Sequence, residues 1–257
     1  MLREIPHIKK QAWCCTPGSV LLWCVVLAAA LTIGGCGKGE PLIGRDELVA
    51  QAYGSDHWGS VERLSFTFNQ ASGTDTVSRE WTWYPHRDSV VFEGTGPDDS
   101  LITRGYVRGL LPEGNADPEL HTLEKWFVND SYRLLFPLHL VWDEDKIKVA
   151  VNEDQPLPIG DTIATRLTVT YLEEEPYAPG NVYELFVDKR TNLIREWSFH
   201  RASPDPTAQA AKWEAHEKVG PLMIAMRRLY SENLRVWFTE VAVKETHETD
   251  VPPPGTP

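Results

Sequence analysis

Cysteine is scarce in this sequence and confined to one end. The four cysteines among the 257 residues are Cys14, Cys15, Cys24 and Cys36, and none follows. The chain beyond residue 36 can therefore form no disulfide, bind no zinc through cysteine and offer no thiol nucleophile. Its stability has to come from a hydrophobic core, for which the remaining length is ample.

Common catalytic and metal-binding motifs are also missing. The sequence has no G-x-S-x-G nucleophile elbow, no H-E-x-x-H zinc pair and no EF-hand loop. The acidic clusters at 143–145 and 173–175 are compatible with a calcium site, but acidic residues in solvated loops are the better interpretation. We therefore predict no cofactor and no metal. The histidines beyond the N-terminal region stand singly, as structural or surface residues do: His57, His86, His121, His139, His200, His216 and His247.

Basic residues are outnumbered. The chain has 25 Lys and Arg against 37 Asp and Glu, a formal net charge of −12. Residues 1–35 hold three basic residues and one acid, so the chain without them carries −14. Such a charge repels phosphate backbones and anionic lipid headgroups. Nucleic acid is therefore excluded as a partner.

The one long apolar run lies near the N-terminus. It follows a basic stretch, reads VLLWCVVLAAALTIGG and ends immediately before Cys36. Sixteen residues are short for a membrane-spanning helix, which needs about 20, and the pattern is typical of a secretory signal. The segment IGGC resembles the lipobox of bacterial lipoproteins, whose cysteine is acylated and becomes the first mature residue. The alternative is an uncleaved anchor helix with an incidental cysteine.

The lipobox resemblance predicts how the chain is organised and where it resides. It implies a signal peptide over 1–35, lipidation of Cys36 and a glycine-rich tether over 36–43. Membrane association would come from the acyl chains. Gly37 stands where an acidic residue retains some lipoproteins at the inner membrane, which implies the outer membrane of the bacterial envelope, facing the periplasm. The proline-rich end, 247–257, is predicted to be a disordered tail.

Between tether and tail, apolar and polar residues alternate. Leu64, Phe66 and Phe68 fall on one side of a strand, with polar residues between them. Alternation of this kind marks half-buried antiparallel strands, and no βαβ rhythm appears. We predict one α+β domain over 44–246 with about ten strands. The runs lie at 63–69, 79–85, 88–93, 100–108, 146–151, 162–172, 182–187, 193–200, 221–229 and 234–243.

Two segments have helical features. Residues 44–54 have early acids and a closing glycine, Gly54. A second helix begins near Asp117, with Pro118 at its first position, and carries an apolar stripe. Pro137 disfavours its continuation. The aromatic-rich stretch 126–142 is therefore predicted as the end of this helix, a break, and then a strand or extended segment.

The order of several motifs resembles a known family. The chain is similar to the lipoprotein-localisation (Lol) carriers and receptors in the order of seven segments: a short helix, HWGSVERLSFTF, REWTWYP, a covering helix, the hairpin YELFVDKRTNLIREW, KVGPLMIAMRR and RVWFTEVAV. The segment 129–137, NDSYRLLFP, resembles uncharacterised outer-membrane lipoproteins of that superfamily. The resemblance implies a curved antiparallel sheet, an unclosed half-barrel, with helices covering an apolar cavity that holds acyl chains. The family's carrier is soluble, whereas this chain resembles the lipidated receptor. The receptor has a protruding apolar loop, and the segment of this chain nearest to that loop is VRGLLPEG.

These features predict a non-enzymatic lipoprotein that binds an acyl chain or other apolar ligand and takes part in lipoprotein or lipid handling. Its partners would be the membrane, through the lipid anchor, and that ligand. Two alternatives stay open: a structural or protein-interaction module whose own side chains fill the half-barrel, and a hydrolase with carboxylates in the concave face. The residues predicted to line or gate the cavity are Trp81, Trp83, Trp126, Phe127, Tyr132, Leu135 and Phe136.

The first prediction concerns maturation. Replacing Cys36 by serine removes the acyl acceptor, so we expect Cys36→Ser to block lipid attachment and processing at this site. The measurement is the intact mass of the protein extracted from membranes. A wild-type mass showing an unmodified Cys36 would contradict the lipobox assignment.

Overall fold

The structure is a computed structural model. The residues that it describes are 43–111, 116–174, 179–201, 208–230 and 233–246. The predicted signal peptide, Cys36 and the predicted tail lie outside these residues, as does the tether apart from Ile43. No helix within the described ranges is long and apolar enough to cross a membrane.

Two α-helices and eleven strands form the described fold, with three short 3-10 helices between them. The helices are α1 (Arg45–Ala52) and α2 (Pro118–Trp142), and the 3-10 turns are Ser55–Ser60, Pro85–Arg87 and Arg108–Leu110. The strands are β1 (Val61–Ser72), β2 (Asp75–Tyr84), β3 (Ser89–Thr95), β4 (Leu101–Val107), β5 (Ile147–Pro156), β6 (Ile163–Tyr171), β7 (Val182–Val187), β8 (Ile194–His200), β9 (Gln209–Val219), β10 (Leu222–Leu229) and β11 (Leu234–Glu245).

The strands form a single curved antiparallel sheet in the order β4-β3-β2-β1-β11-β10-β9-β8-β7-β6-β5. The strands β1 and β11 pair although they are far apart in the chain. All strands that follow one another in the chain are neighbours in the sheet, except β4 and β5. Those two strands are the edges of the sheet, and α2 is the connection between them. The sheet is thus an open barrel, as the sequence resemblance implies.

The sequence predicts about ten strands, and the structure has eleven. The strand that was not predicted is β9, in which only Ala211 and Trp213 are buried while Lys, Glu and His occupy most other positions. That composition lacks the apolar alternation of a half-buried strand and contains good helix formers. Its pairing with β8 and β10 overrides the local preference.

The prediction of a strand after Pro137 is wrong, because α2 continues to Trp142. Pro137 removes one N–H from the helix and leaves the carbonyl of Arg133, four residues earlier, without its helical partner. The helix absorbs this defect at Leu135, whose φ of −110° and ψ of 16° are not helical. It then resumes, because Leu138 and other apolar residues after the kink are buried against the sheet.

Most of the interior is one cluster of buried side chains from α1, α2 and the inner faces of the strands, and Leu157, Ala164 and Phe186 form a small separate cluster. Leu64, Phe66 and Phe68 are all buried, which confirms the predicted apolar side of β1, but Thr67 and Asn69 on its polar side are buried as well. Edge strand β5 is different, since Val151 is 44% exposed although its sequence alternates equally well. A strand at the edge lacks the neighbour that would cover its side chains.

Helix α1 confirms the predicted short helix and lies across several strands. Arg45 at its start donates a hydrogen bond to Thr165 in β6 over 3.2 Å. Tyr53 at its end accepts hydrogen bonds from two backbone N–H groups, Ile194 to its hydroxyl at 3.0 Å and Met223 to its carbonyl at 3.2 Å. The tyrosine hydroxyl also lies 2.9 Å from Nε2 of His216 in β9. The helix therefore connects β6, β8 and β10, three strands that do not pair with one another.

The second prediction tests the tight end of this helix. Gly54 has a φ of +91°, and a Cβ there would lie 2.5 Å from the carbonyl oxygen of Pro221. We expect Gly54→Ala to lower the free energy of unfolding by about 2 kcal/mol or more, through strain and the clash. Gly59→Ala is the control, since a Cβ there meets nothing within 4 Å. Denaturant unfolding of both variants measures the difference, and equal losses would contradict this role of Gly54.

Candidate functional site

The seven residues predicted to line a cavity all lie in the interior cluster. Four are fully buried, namely Trp81, Phe127, Leu135 and Phe136. The other three, Trp83, Trp126 and Tyr132, are half-buried and pack against the same cluster. The structure thus brings all seven onto α2 and the strand that faces it. Their role as a ligand site stays a prediction.

The aromatic side chains of α2 pack against both sides of the open barrel. Phe127 packs against Trp81 and Trp83 of β2, with ring centroids 5.4 and 5.5 Å apart. Phe136, beyond the kink, packs against Tyr183 of β7 at 4.6 Å and Trp197 of β8 at 5.6 Å. Tyr132, before the kink, contacts the same Tyr183 ring at 6.1 Å, so the change of side falls within the first part of the helix.

Polar contacts that sequence reasoning missed attach the first half of α2 to the sheet. Asp130 is fully buried and accepts hydrogen bonds from Nε and Nη2 of Arg79, both at 2.7 Å. The indole N–H of Trp81 donates to the same carboxylate over 3.0 Å. A bidentate pair with a third donor satisfies most of the hydrogen-bonding capacity of a buried carboxylate.

Two further acids of α2 have partners on or next to edge strand β4. Glu124 is buried and accepts hydrogen bonds from Arg108 at 2.8 and 2.9 Å and from the Tyr106 hydroxyl at 3.0 Å. Burial raises the pKa of Tyr106 well above its usual range, and the nearby Glu124 adds to the rise. Asp117, which also caps α2, pairs with the more exposed Arg104 at 2.9 Å.

A sequence signal for these contacts exists. Asp117 and Glu124 are seven residues apart and share one helix face, whereas Asp130, six residues further on, lies about 120° around the helix. Arg104 and Arg108 flank Tyr106 at the alternate spacing of one strand face. Complementary charges on a helix and on the strand preceding it indicate a contact, although neither pattern identifies its partner.

The last turn of α2 is held by Asp143. Its carboxylate lies 2.8 Å from Nδ1 of His139 and accepts hydrogen bonds from Tyr171 at 2.9 Å and Lys146 at 3.2 Å. Burial would raise the pKa of Asp143, but these bonds outweigh it and lower the pKa to about 2. Tyr132 extends the chain of contacts by donating to the Tyr171 hydroxyl. In the described ranges, no group of three acidic, histidine or cysteine side chains is placed to hold a metal ion.

A buried arginine supports the kink. Arg228 of β10 donates from Nη2 to the carbonyl of Arg133 over 3.0 Å. This is the carbonyl that Pro137 leaves without a helical donor. The guanidinium therefore supplies the hydrogen bond that the proline removes, and it joins β10 to the middle of α2.

Two cavities of about 450 and 520 Å³ lie elsewhere, and none of the seven predicted residues lines them. The first has four carboxylates in its lining, those of Asp161, Asp188, Glu196 and Glu214. Glu196 accepts two backbone N–H groups of the β5–β6 loop, and Asp188 accepts two from its own turn. These two acids hold loops in place and are not free for acid–base chemistry.

Comparisons with known proteins match no family model and no curated protein. Solved structures do match. A DUF1329 family protein from Desulfovibrio piger is 9% identical, with a TM-score of 0.44 over 77% of this chain and 91% of that one. A LolA superfamily protein from Nitrosomonas europaea is 9% identical, with a TM-score of 0.43 over 80% and 94%. A domain described as outer membrane lipoprotein-sorting, from Vibrio parahaemolyticus, is 7% identical, with a TM-score of 0.41 over 81% and 94%.

The Lol superfamily, which the order of sequence motifs resembles, is thus among the similar structures. At these identities and TM-scores the likeness is one of general fold.

The third prediction compares two arginines that contact α2. We expect Arg79→Gln to lower the free energy of unfolding by about 3 kcal/mol, because it leaves the buried Asp130 carboxylate without its charged partner. Arg104→Gln should cost less than about 1 kcal/mol, since that side chain is 45% exposed and its ion pair is screened by solvent. Denaturant unfolding gives both values. A small loss for Arg79→Gln would show that Asp130 does not depend on this pair.

Proposed function

We propose that this chain is a lipid-anchored protein of the bacterial cell envelope that binds an acyl chain or other apolar ligand inside the open barrel. Helix α2 is the lid of that site. The observation that carries the proposal is the position of α2, which connects the two unpaired edges β4 and β5 and places its apolar stripe inside the sheet.

The bonding between helix and sheet supports a movable lid. A closed barrel would need backbone hydrogen bonds between β4 and β5, and the sheet order has none there. Side chains hold α2 instead, at Asp130, Glu124 and Asp143. Contacts of this kind can be exchanged one at a time, whereas a strand ladder separates as a unit.

The kink supports a lid that moves in two parts. Pro137 and the non-helical Leu135 divide α2 into two parts, which share the Tyr183 ring through Tyr132 and Phe136. A helix bends most easily where a hydrogen bond of its ladder is missing. We therefore expect the lid to bend at the kink when it opens, and a local opening of this kind suits a binding site.

The chemistry of the interior favours a long apolar ligand. The residues that α2 covers are Trp, Phe, Tyr, Leu and Val, and the buried acids named above are paired with bases or tyrosines. A ligand would take the volume that apolar side chains of α2 now occupy. Cys36 would attach the protein to the membrane that supplies such ligands, on the periplasmic face of the outer membrane. No step of this function requires catalysis.

One observation favours a second candidate, a non-catalytic structural or interaction module with a filled core. Leu134, Leu135, Phe136, Leu138 and Leu140 are at most 2% exposed, so the interior is packed by the protein's own side chains. A permanently filled interior would make α2 an ordinary core helix. The two candidates differ in whether any apolar molecule enters.

The fourth prediction separates them with two tryptophans. Trp126 belongs to the lid and packs against Phe92, and Trp237 lies on the opposite face of the sheet, between the inward residues Val236 and Phe238. Both are half-buried. We expect Trp126→Ala to reduce the bound fraction of added palmitate several-fold, while Trp237→Ala leaves it unchanged, because only the first lies between the lid and the sheet.

The measurement is native mass spectrometry of the full chain released from membranes, with melting temperatures recorded in parallel. A similar small fall in melting temperature for both variants, together with a loss of palmitate for Trp126→Ala alone, supports the lid. If wild type carries no lipid and takes up no palmitate, the filled-core module replaces the proposed function.

A further inference from the structure

Arg228 has an environment that is unusual for a charged group. Its side chain is fully buried, and Nη1 donates to the carbonyls of Ala225 at 2.6 Å and Arg227 at 3.2 Å. Nη2 donates to the carbonyl of Arg133, and Nε has no hydrogen-bond partner. No carboxylate in the described ranges forms an ion pair with it, in a chain that has 37 acidic residues.

A buried charge without a counter-charge is costly, and arginine rarely escapes the cost by losing its proton. Burial lowers the pKa of Arg228 to about 9, which still leaves it charged at neutral pH. The ring of Trp213, 3.4 Å from the guanidinium carbon, offsets part of this cost through a cation–π contact. The Phe238 ring is also near, at 5.8 Å, but neutral carbonyls and two rings do not replace an anion.

Arg133 adds a second cation to the same region. It is half-buried, and its charge contributes to the lowered pKa of Arg228. Its guanidinium likewise forms no ion pair within the part of the chain that the structure describes. By contrast, the other arginines that face α2, Arg79 and Arg108, each bind a carboxylate of that helix. Among the described residues, acids therefore pair with other arginines at the interface between α2 and the sheet, but not with Arg228.

The bond from Arg228 to α2 is one that an incoming group can replace. The acceptor is the Arg133 carbonyl, which is available only because Pro137 has no N–H to give it. When the part of the lid that carries Arg133 moves, this contact is lost, and Nη2 joins Nε as a free donor. Two adjacent N–H groups of one guanidinium are the geometry that binds a carboxylate or phosphate through two hydrogen bonds.

We propose that Arg228 is the head-group site of the cavity, and that the ligand is an anionic amphiphile: a single apolar chain ending in a carboxylate or a phosphate monoester. This deepens the proposed function and rests on it. The chain lies among the aromatic residues under α2, and the acidic head replaces the Arg133 carbonyl at Nη2 and satisfies Nε.

The test is a competition in one sample. The full chain, released from membranes, is mixed with equal amounts of palmitate, hexadecyl phosphate and hexadecanol, and native mass spectrometry reads the occupancy of each. We expect each acid to exceed the alcohol by at least about tenfold, since a charge-assisted hydrogen bond contributes that much or more. Binding of only one acid would assign the head group to that chemistry.

Arg228→Met should reduce the ratio of acid to alcohol to about one while hexadecanol stays bound. Arg227→Met is the matched control, because that neighbouring arginine points to the other face, near Glu214, and is exposed. It should keep the wild-type ratio. Equal binding of acids and alcohol by wild type overturns the head-group site and leaves the apolar site standing, whereas binding of none of the three overturns the proposed function itself.

Pro137→Ala keeps the test valid if Arg228→Met does not fold. Alanine restores the helical N–H for the Arg133 carbonyl and is a better helix former than proline. Arg228 then loses its competing acceptor, so the preference for palmitate over hexadecanol should rise. A fall in that preference would contradict the exchange of carbonyl for carboxylate.

Discussion

The contact between Arg228 and the Arg133 carbonyl is the constraint around which the rest of the structure is arranged. A proline inside a helix leaves one carbonyl without a donor, and a buried carbonyl without a donor is unstable. Here the sheet supplies the donor from β10. The helix can therefore bend at Leu135, fill both sides of the barrel and still reach edge strand β5.

The two halves of α2 are attached by different chemistry, which gives the interior its character. Arginines of the sheet side meet acids of the first half, at Asp130 and Glu124. A network of tyrosines, a histidine and Asp143 holds the last turn. Apolar side chains fill the space between. The paired acids at α2 are thus confined to these two contact regions, and the interior between them is lined mainly by apolar side chains.

Much of the fold could be predicted from the sequence, because its signals are local. The apolar side of β1 and the closing Gly54 of α1 depend on near neighbours, and both predictions are confirmed. Strand β9 could not be predicted, since its pairing with β8 and β10 decides it against its own composition. The passage of α2 through Pro137 could not be predicted either, since it involves Arg228, which is distant in the chain. The same limit applies to the site. Aromatic content located its seven apolar residues in the interior, but the pairing of Arg79 with Asp130 joins positions 51 residues apart.

The position of α1 makes the two sides of the barrel mechanically unequal. This helix is bonded to β6 at Arg45 and to β8 and β10 at Tyr53, so it acts as a cross-brace over that side of the sheet. Strands β2 to β4 lie beyond its reach and are held to the interior mainly through α2. If a ligand enters as proposed, we therefore expect the barrel to widen on the β2–β4 side, while the braced side keeps its curvature.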